Sequence, residues 1–185
     1  HTGTITGETI TISGTGNVAN VTTAGHPTAT VSTLTIGTDQ TKKVSITTDK
    51  DWALYNNGSS LTVLGEEIHL ERTSADGANY GEAFRTTGYG TTKVGNEKTK
   101  LVSIKSKGDC IALLPYGGKS QTNGSVTVTA EEIRLEAGAN GIWAQNNSTG
   151  IEGAYAPVVL NATKGIHITA GSSALVAMSQ GRIEL

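Results

Sequence analysis

The stretch "VSITTDKDWALYNNGSSLTVLGEEIHL", residues 44–70, holds three short apolar–polar–apolar triplets separated by turn residues. Its first and last triplets close at Ile46 and Leu70, 24 residues apart. Six residues after Ile46 comes "WALY" from Trp52; eleven more reach Val63, which closes "LTV"; seven more reach Leu70. Alternating triplets bounded by Gly, Asn, Asp and Ser signal short strands joined by turns. Three strands and three turns therefore make a unit of 24 residues.

The unit recurs in both directions. Third-strand triplets close at Ile12, Ile46, Leu70, Ile104, Leu135 and Ile168, with spacings of 34, 24, 34, 31 and 33 residues. "GEEIHLE" at 65–71 and "EEIRLE" at 131–136 are near copies. Second strands close at Ile5, Ile36, Val63, Val94, Val128, Leu160 and Leu185. First strands start at Val18, Trp52, Ala83, Cys110, Gly141 and Ala174. Extra residues fall only between strands, as stacked coils require, because a one-residue slip inside a strand turns its buried face to solvent. The expected fold is all-β: a right-handed, three-sided parallel β-helix of about six coils with loop insertions at its turns, spanning 1–185 as one unit.

Composition agrees. Aromatics are 4% of the chain, there are 24 Gly, and no run of strong helix formers occurs. A net charge of −2 gives no general pull toward nucleic acid or acidic membranes. No apolar stretch approaches the ~20 residues of a membrane-spanning helix. Cys110 stands alone, so an internal disulfide is excluded.

Through "GEEIHLE", "AEEIRLEAGANGIWA" and "KGIHITAGSSALVAM" the chain resembles the passenger region of bacterial autotransporters and related haemagglutinin-like adhesins. The resemblance implies a right-handed parallel β-helix displayed outside the bacterial cell and held to the outer membrane by a region C-terminal to these residues. It implies a binding role, toward a glycan or protein on a host or neighbouring bacterial cell. The chain is then a piece of a longer surface protein, and two uncapped ends would favour end-to-end self-association.

Strand alternation sorts the side chains. In the third strands Ile10, Val44, Ile68, Val102, Ile133 and Ile166 point inward with the closers. Thr11, Ser45, His69, Ser103, Arg134 and His167 point outward, so the residue that differs between "EEIHLE" and "EEIRLE" lies on the solvent side. His69 and His167 sit three coils apart and read as surface residues rather than metal ligands. Second-strand middles are Thr4, Thr35, Thr62, Lys93, Thr127, Val159 and Glu184, a threonine row similar to those of ice-binding solenoids but broken at three places. In the first strands Ala19, Ala53, Phe84, Ile111, Ile142 and Leu175 are expected inside. Asn20, Leu54, Arg85, Ala112, Trp143 and Val176 are expected outside.

Parallel β-helices also carry polysaccharide lyases and hydrolases, which need paired or clustered carboxylates. The five Asp residues, 39, 49, 51, 76 and 109, all fall at turns. Asp51 and Asp109 share a coil position but lie two coils apart. No catalytic residue, metal or cofactor is assigned, and a polysaccharide-cleaving enzyme or a ligand-free spacer remain the competing classes. Two candidate binding regions stand out. "LPYGGKSQTNG" (114–124) and "NNSTGIEGAYAP" (146–157) leave the same corner in successive coils. With Trp143 they offer Tyr116, Lys119, Gln121, Asn146, Asn147, Glu152 and Tyr155 to a ligand. "KVGNEKTKLVSIKSK" (93–107) gathers Lys93, Lys98, Lys100, Lys105 and Lys107, five of the ten lysines, and would suit an acidic glycan.

Overall fold

The computed structural model describes residues 1–23, 31–74, 81–114, 124–145 and 156–185. Every strand pairing in it is parallel, and the strands, numbered in chain order, stack into three columns. The second column runs β1 (Thr2–Ile5), β4 (Thr33–Ile36), β7 (Ser60–Val63) and β10 (Thr91–Val94). It continues through the start of β13 (Ser125–Ala137), the start of β15 (Ala156–Ala170) and β17 (Gly181–Glu184). The third column holds β2 (Thr9–Gly14), β5 (Lys43–Thr48), β8 (Glu67–Arg72) and β11 (Leu101–Ser106), then the far halves of β13 and β15. The first column holds β3 (Ala19–Thr22), β6 (Leu54–Asn57), β9 (Phe84–Thr87), β12 (Ile111–Leu114), β14 (Ile142–Gln145) and β16 (Leu175–Met178). Because β13 and β15 turn the corner unbroken, the second and third columns merge into one eleven-stranded sheet beside a six-stranded one. The fold is the expected all-β parallel solenoid, with about five turns rather than six.

The core is a set of stacked apolar rows. Ile46, Leu70, Ile104 and Leu135 lie in direct register, each at most 1% exposed. Burying each such side chain is worth roughly 1.5–3 kcal/mol. Val44, Ile68, Val102 and Ile133 form a second fully buried row beside them. The outer coils are less covered: Ile12, Ile166 and Ile168 only pack partly against the core, and Leu175 is 41% exposed, contrary to its expected burial.

Polar residues inside the corner between first and second columns are satisfied by one another. Asn56 Nδ2 donates to the Ser59 and Thr91 carbonyls and to Thr92 Oγ1, while its Oδ1 accepts from Ser59 N–H. Thr86 and Thr92 share a hydroxyl bond of 2.8 Å. A buried amide is tolerable only when its bonds are met in this way.

A second first-column assignment fails as well. The register pairs Ala19 with Leu54, and Leu54 with Phe84, so Leu54 is buried and Tyr55 takes the outward place beside Arg85. The turn between Ile46 and the first strand is one residue longer than six, and Trp52 belongs to that turn rather than to the strand. Asp109 accordingly shares its coil position with Glu82 and Trp52, not with Asp51. Ala112, expected outside, does face away from the core cluster, yet it is fully buried between Arg85 and Trp143 in register.

Candidate functional site

The three outer faces differ in chemistry. Aligning third strands through their register exposes a pattern: "GETITI" (7–12), "TKKVSI" (41–46), "GEEIHL" (65–70), "TKLVSI" (99–104), "AEEIRL" (130–135) and "TKGIHI" (163–168). The second residue of each runs Glu8, Lys42, Glu66, Lys100, Glu131, Lys164, so the charge alternates coil by coil. Lys42 Nζ lies 3.0 Å from Glu66, and Lys100 also pairs with Glu66. Lys164 pairs with Glu131. The two lysine partners, Lys100 foremost, hold the Glu66 carboxyl below its ordinary range. At the strand ends Lys105 lies between Glu71 and Glu136 in register and bonds Glu136 at 2.9 Å. The repeated "EEIxLE" thus belongs to a two-coil repeat whose odd coils are acidic and even coils basic.

A second copied element sits at the corner before this face. "GTDQTKKVSI" (37–46) and "GNEKTKLVSI" (95–104) enter the same lengthened turn two coils apart. Gly37 and Gly95 adopt φ of +81° and +76°, and a Cβ there would come within 1.9 Å of the Leu64 carbonyl oxygen and 2.2 Å of that of Thr129. Thr41 and Thr99 hydroxyls donate to the Gly7 and Gly65 carbonyls at 2.7 and 2.8 Å. The two turns reach across the shorter coil between them: Asn96 Nδ2 and Lys98 Nζ donate to the two oxygens of Asp39 at 2.7 and 2.6 Å.

Among the five clustered lysines, then, Lys98, Lys100 and Lys105 each hold a carboxylate partner, on Asp39, Glu66 and Glu136. Lys93 stands on the second face, and Lys107 borders an open depression of about 360 Å³ with Glu71, Lys105 and Glu136. The five do not converge on one surface.

The first face carries a packed aromatic group. Trp52 stacks on Tyr55 with ring centroids 4.7 Å apart and planes 19° from parallel, and the Arg85 guanidinium lies 4.6 Å from the Trp52 ring centre. Buried Glu82 ties it together, accepting from Trp52 Nε1 at 2.6 Å and Arg85 Nη2 at 2.7 Å. Burial pushes the Glu82 carboxyl up, against the opposing pull of Arg85. Behind it, Arg72, 2% exposed, donates to the carbonyls of Lys50, Asp51 and Ser74 at 2.7, 3.1 and 2.5 Å, beneath Gly81. Both stems of the long turn after β8 are therefore pinned by buried charges. Trp143 is half-buried and donates to Gln145 Oε1 at 3.2 Å. The other predicted loop residues, Tyr116, Lys119, Gln121, Asn146, Asn147, Glu152 and Tyr155, lie outside the described residues.

His69 and His167 face solvent beside Glu67 and Glu132, each 3.4 Å away, and no three metal-ligating side chains gather among the described residues. Asp109, 4% exposed, accepts from Asn140 N–H at 2.7 Å and Nδ2 at 3.0 Å, a turn-holding role. Cys110 is buried, and desolvation pushes its thiol up to about 12. Sequence reasoning missed the charge alternation and the Glu82 group. The signal for the first was present in the six aligned hexapeptides; the second is brought together only by the coil register. No family model, curated protein or solved structure matches the chain.

Proposed function

We propose that the chain is a section of a bacterial cell-surface adhesin of the autotransporter-passenger kind, holding ligand-binding loops and one coil face away from the cell. The observation that carries this reading is the contrast between the invariant strand columns and the lengthened turns. The strands pair in register apart from one shift between Ala130 and Glu132, whereas the sequence between first and second strands is long in three coils, at 23–32, 115–124 and 146–155. A rod with three of its long turns at one corner is suited to display, since insertions on one face of a solenoid commonly form its binding surface. The ligand is a glycan or protein of another cell or a host, and the location is extracellular. The charged side chains described on the third face mostly pair with each other, which supports a scaffold role for that face.

A binding and turnover experiment tests this. Labelled chain is added to bacterial and epithelial cells and to pectin, alginate and glycosaminoglycans, with reducing ends and unsaturated products assayed alongside. Saturable cell binding without turnover supports the adhesin. Turnover abolished by a carboxylate substitution makes it a polysaccharide-cleaving enzyme, and absence of any saturable partner makes it a spacer.

A further inference from the structure

The second face is unlike the other two. Its outward residues form two rows in unbroken register over five coils: Thr2, Thr33, Ser60, Thr91, Ser125 and Thr4, Thr35, Thr62, Lys93, Thr127. Nine of these ten positions carry a hydroxyl, and none of the nine is engaged in a side-chain hydrogen bond among the described residues. Only the threonine row was visible in the triplet pattern; the register supplies the second. Coils repeat at about 4.8 Å and alternate residues at about 6.6 Å, so the hydroxyls make a regular grid roughly 19 Å long. The third face of the same coils is laced with ion pairs instead.

We propose that this grid binds the surface of an ordered, neutral, hydroxyl-rich polysaccharide, of which crystalline β-linked glucan and chitin are representatives. This deepens the adhesin reading and rests on it. Each hydroxyl pair formed nets little against water, so a single sugar gains almost nothing. Only a ligand that repeats at the coil spacing sums many such bonds, and a pre-ordered one adds no ordering cost of its own. The five-coil grid carries a single charge, Lys93, and the next charges on this column, Arg182 and Glu184, pair with each other, so an acidic glycan gains little over a neutral one. A threonine grid could instead order water as ice does. Against that, Lys93 interrupts the grid in its fourth coil with a long amine, and Ser60 and Ser125 lack the methyl group that would keep it uniform. An amine and a bare hydroxyl still bond sugar hydroxyls.

The test is co-sedimentation of the intact chain with microcrystalline cellulose and with microcrystalline chitin, set against cello-oligosaccharides, alginate and ice. The triple variant Thr35→Val, Thr62→Val, Thr127→Val removes three hydroxyls while keeping shape and strand preference; Thr11→Val with Ser103→Val does the same on the third face. The expected result is saturable binding to at least one solid, at least tenfold weaker in the second-face variant, unchanged in the third-face variant, with soluble oligosaccharides failing to compete. Binding unaffected by the second-face change, preference for alginate, or thermal hysteresis without polysaccharide binding would each overturn it, as would no binding to either solid. Cell binding that persists through the loops in any of these cases leaves the adhesin reading standing while the grid falls. Should the triple variant lose its strand circular dichroism, Thr35→Ser with Thr62→Ser, which keeps the hydroxyls, and Thr35→Val alone make the same comparison.

Discussion

Asp39 and Lys98 lie 59 residues apart in sequence, and their side chains meet at 2.6 Å. They meet because each sits in a copy of the same lengthened turn, and the coil between them has the short version. Contacts that are remote in sequence are therefore set by coil periodicity, and the consequences below follow from it.

Acid should weaken the fold in a defined window. Lys100 and Lys42 depress the Glu66 carboxyl, Lys98 and Asn96 that of Asp39, and Arg134 that of Glu132. A depressed carboxylate contributes stability that is fully present above its unfolded pKa, about 4, and is lost as pH falls through the lower folded value. The melting temperature, followed from pH 7 to pH 2, should stay level in these groups' contribution down to about pH 5 and then fall. Glu66→Gln should reduce the drop, and Glu66→Lys, which sets three positive charges in successive coils, should lower the melting temperature at neutral pH in a salt-dependent manner.

Core substitutions should cost according to coil position. Ile104→Ala, in the middle of the stack and 0% exposed, should lose about 2–5 kcal/mol. Ile168→Ala, in the same row but only partly covered, should lose clearly less. Leu135→Asp would leave a charge inside the row and unfold its coil. Urea unfolding of the three variants measures the order.

Arg72→Met should be costly even though methionine fits the space along the stem. It strips three carbonyls of a charged donor, a loss of about 3 kcal/mol or more. Arg72→Lys should recover little, because an ammonium cannot span the Lys50 and Asp51 carbonyls of the preceding coil and that of Ser74 as the guanidinium fork does. Chemical denaturation of both variants, with proteolysis at 75–80 as a local readout, checks the pinning of that turn.

The Cys110 thiol should be inert in the folded chain. It is fully buried, donates to the Ile104 carbonyl at 3.3 Å, and its pKa of about 12 leaves almost no thiolate at pH 8. Alkylation by iodoacetamide should proceed only at the rate of unfolding, and rapid labelling of native chain would contradict the burial.

The second and third columns were legible because alternation within a triplet is set by the pleat and survives any turn length. Ile46, Leu70, Ile104 and Leu135 needed nothing but spacing. The first column was misjudged in the coil of Trp52, where a bulky aromatic at a turn imitates the start of a strand; no local signal separates "WALY" as strand from "ALYN". The ion-pair ladder needed the six hexapeptides aligned, since Glu8 and Lys164 carry no meaning singly. The Trp52, Glu82 and Arg85 group was beyond reach for another reason: one side chain comes from a turn and two from the next coil, and only the coil register brings them together.

All of this depends on coils being stacked in one register, and cross-linking measures that directly. In a Cys110→Ala background, cysteines at Ser103 and Arg134 face each other on adjacent strands, within the reach of a disulfide. Cysteines at Ser103 and Glu136 are displaced by two residues along the strand. The stacked coil predicts rapid, near-complete oxidation of the first pair and slow, partial oxidation of the second, read by peptide mass after digestion. Equal rates for both, or preference for the displaced pair, would contradict the register and the faces built on it.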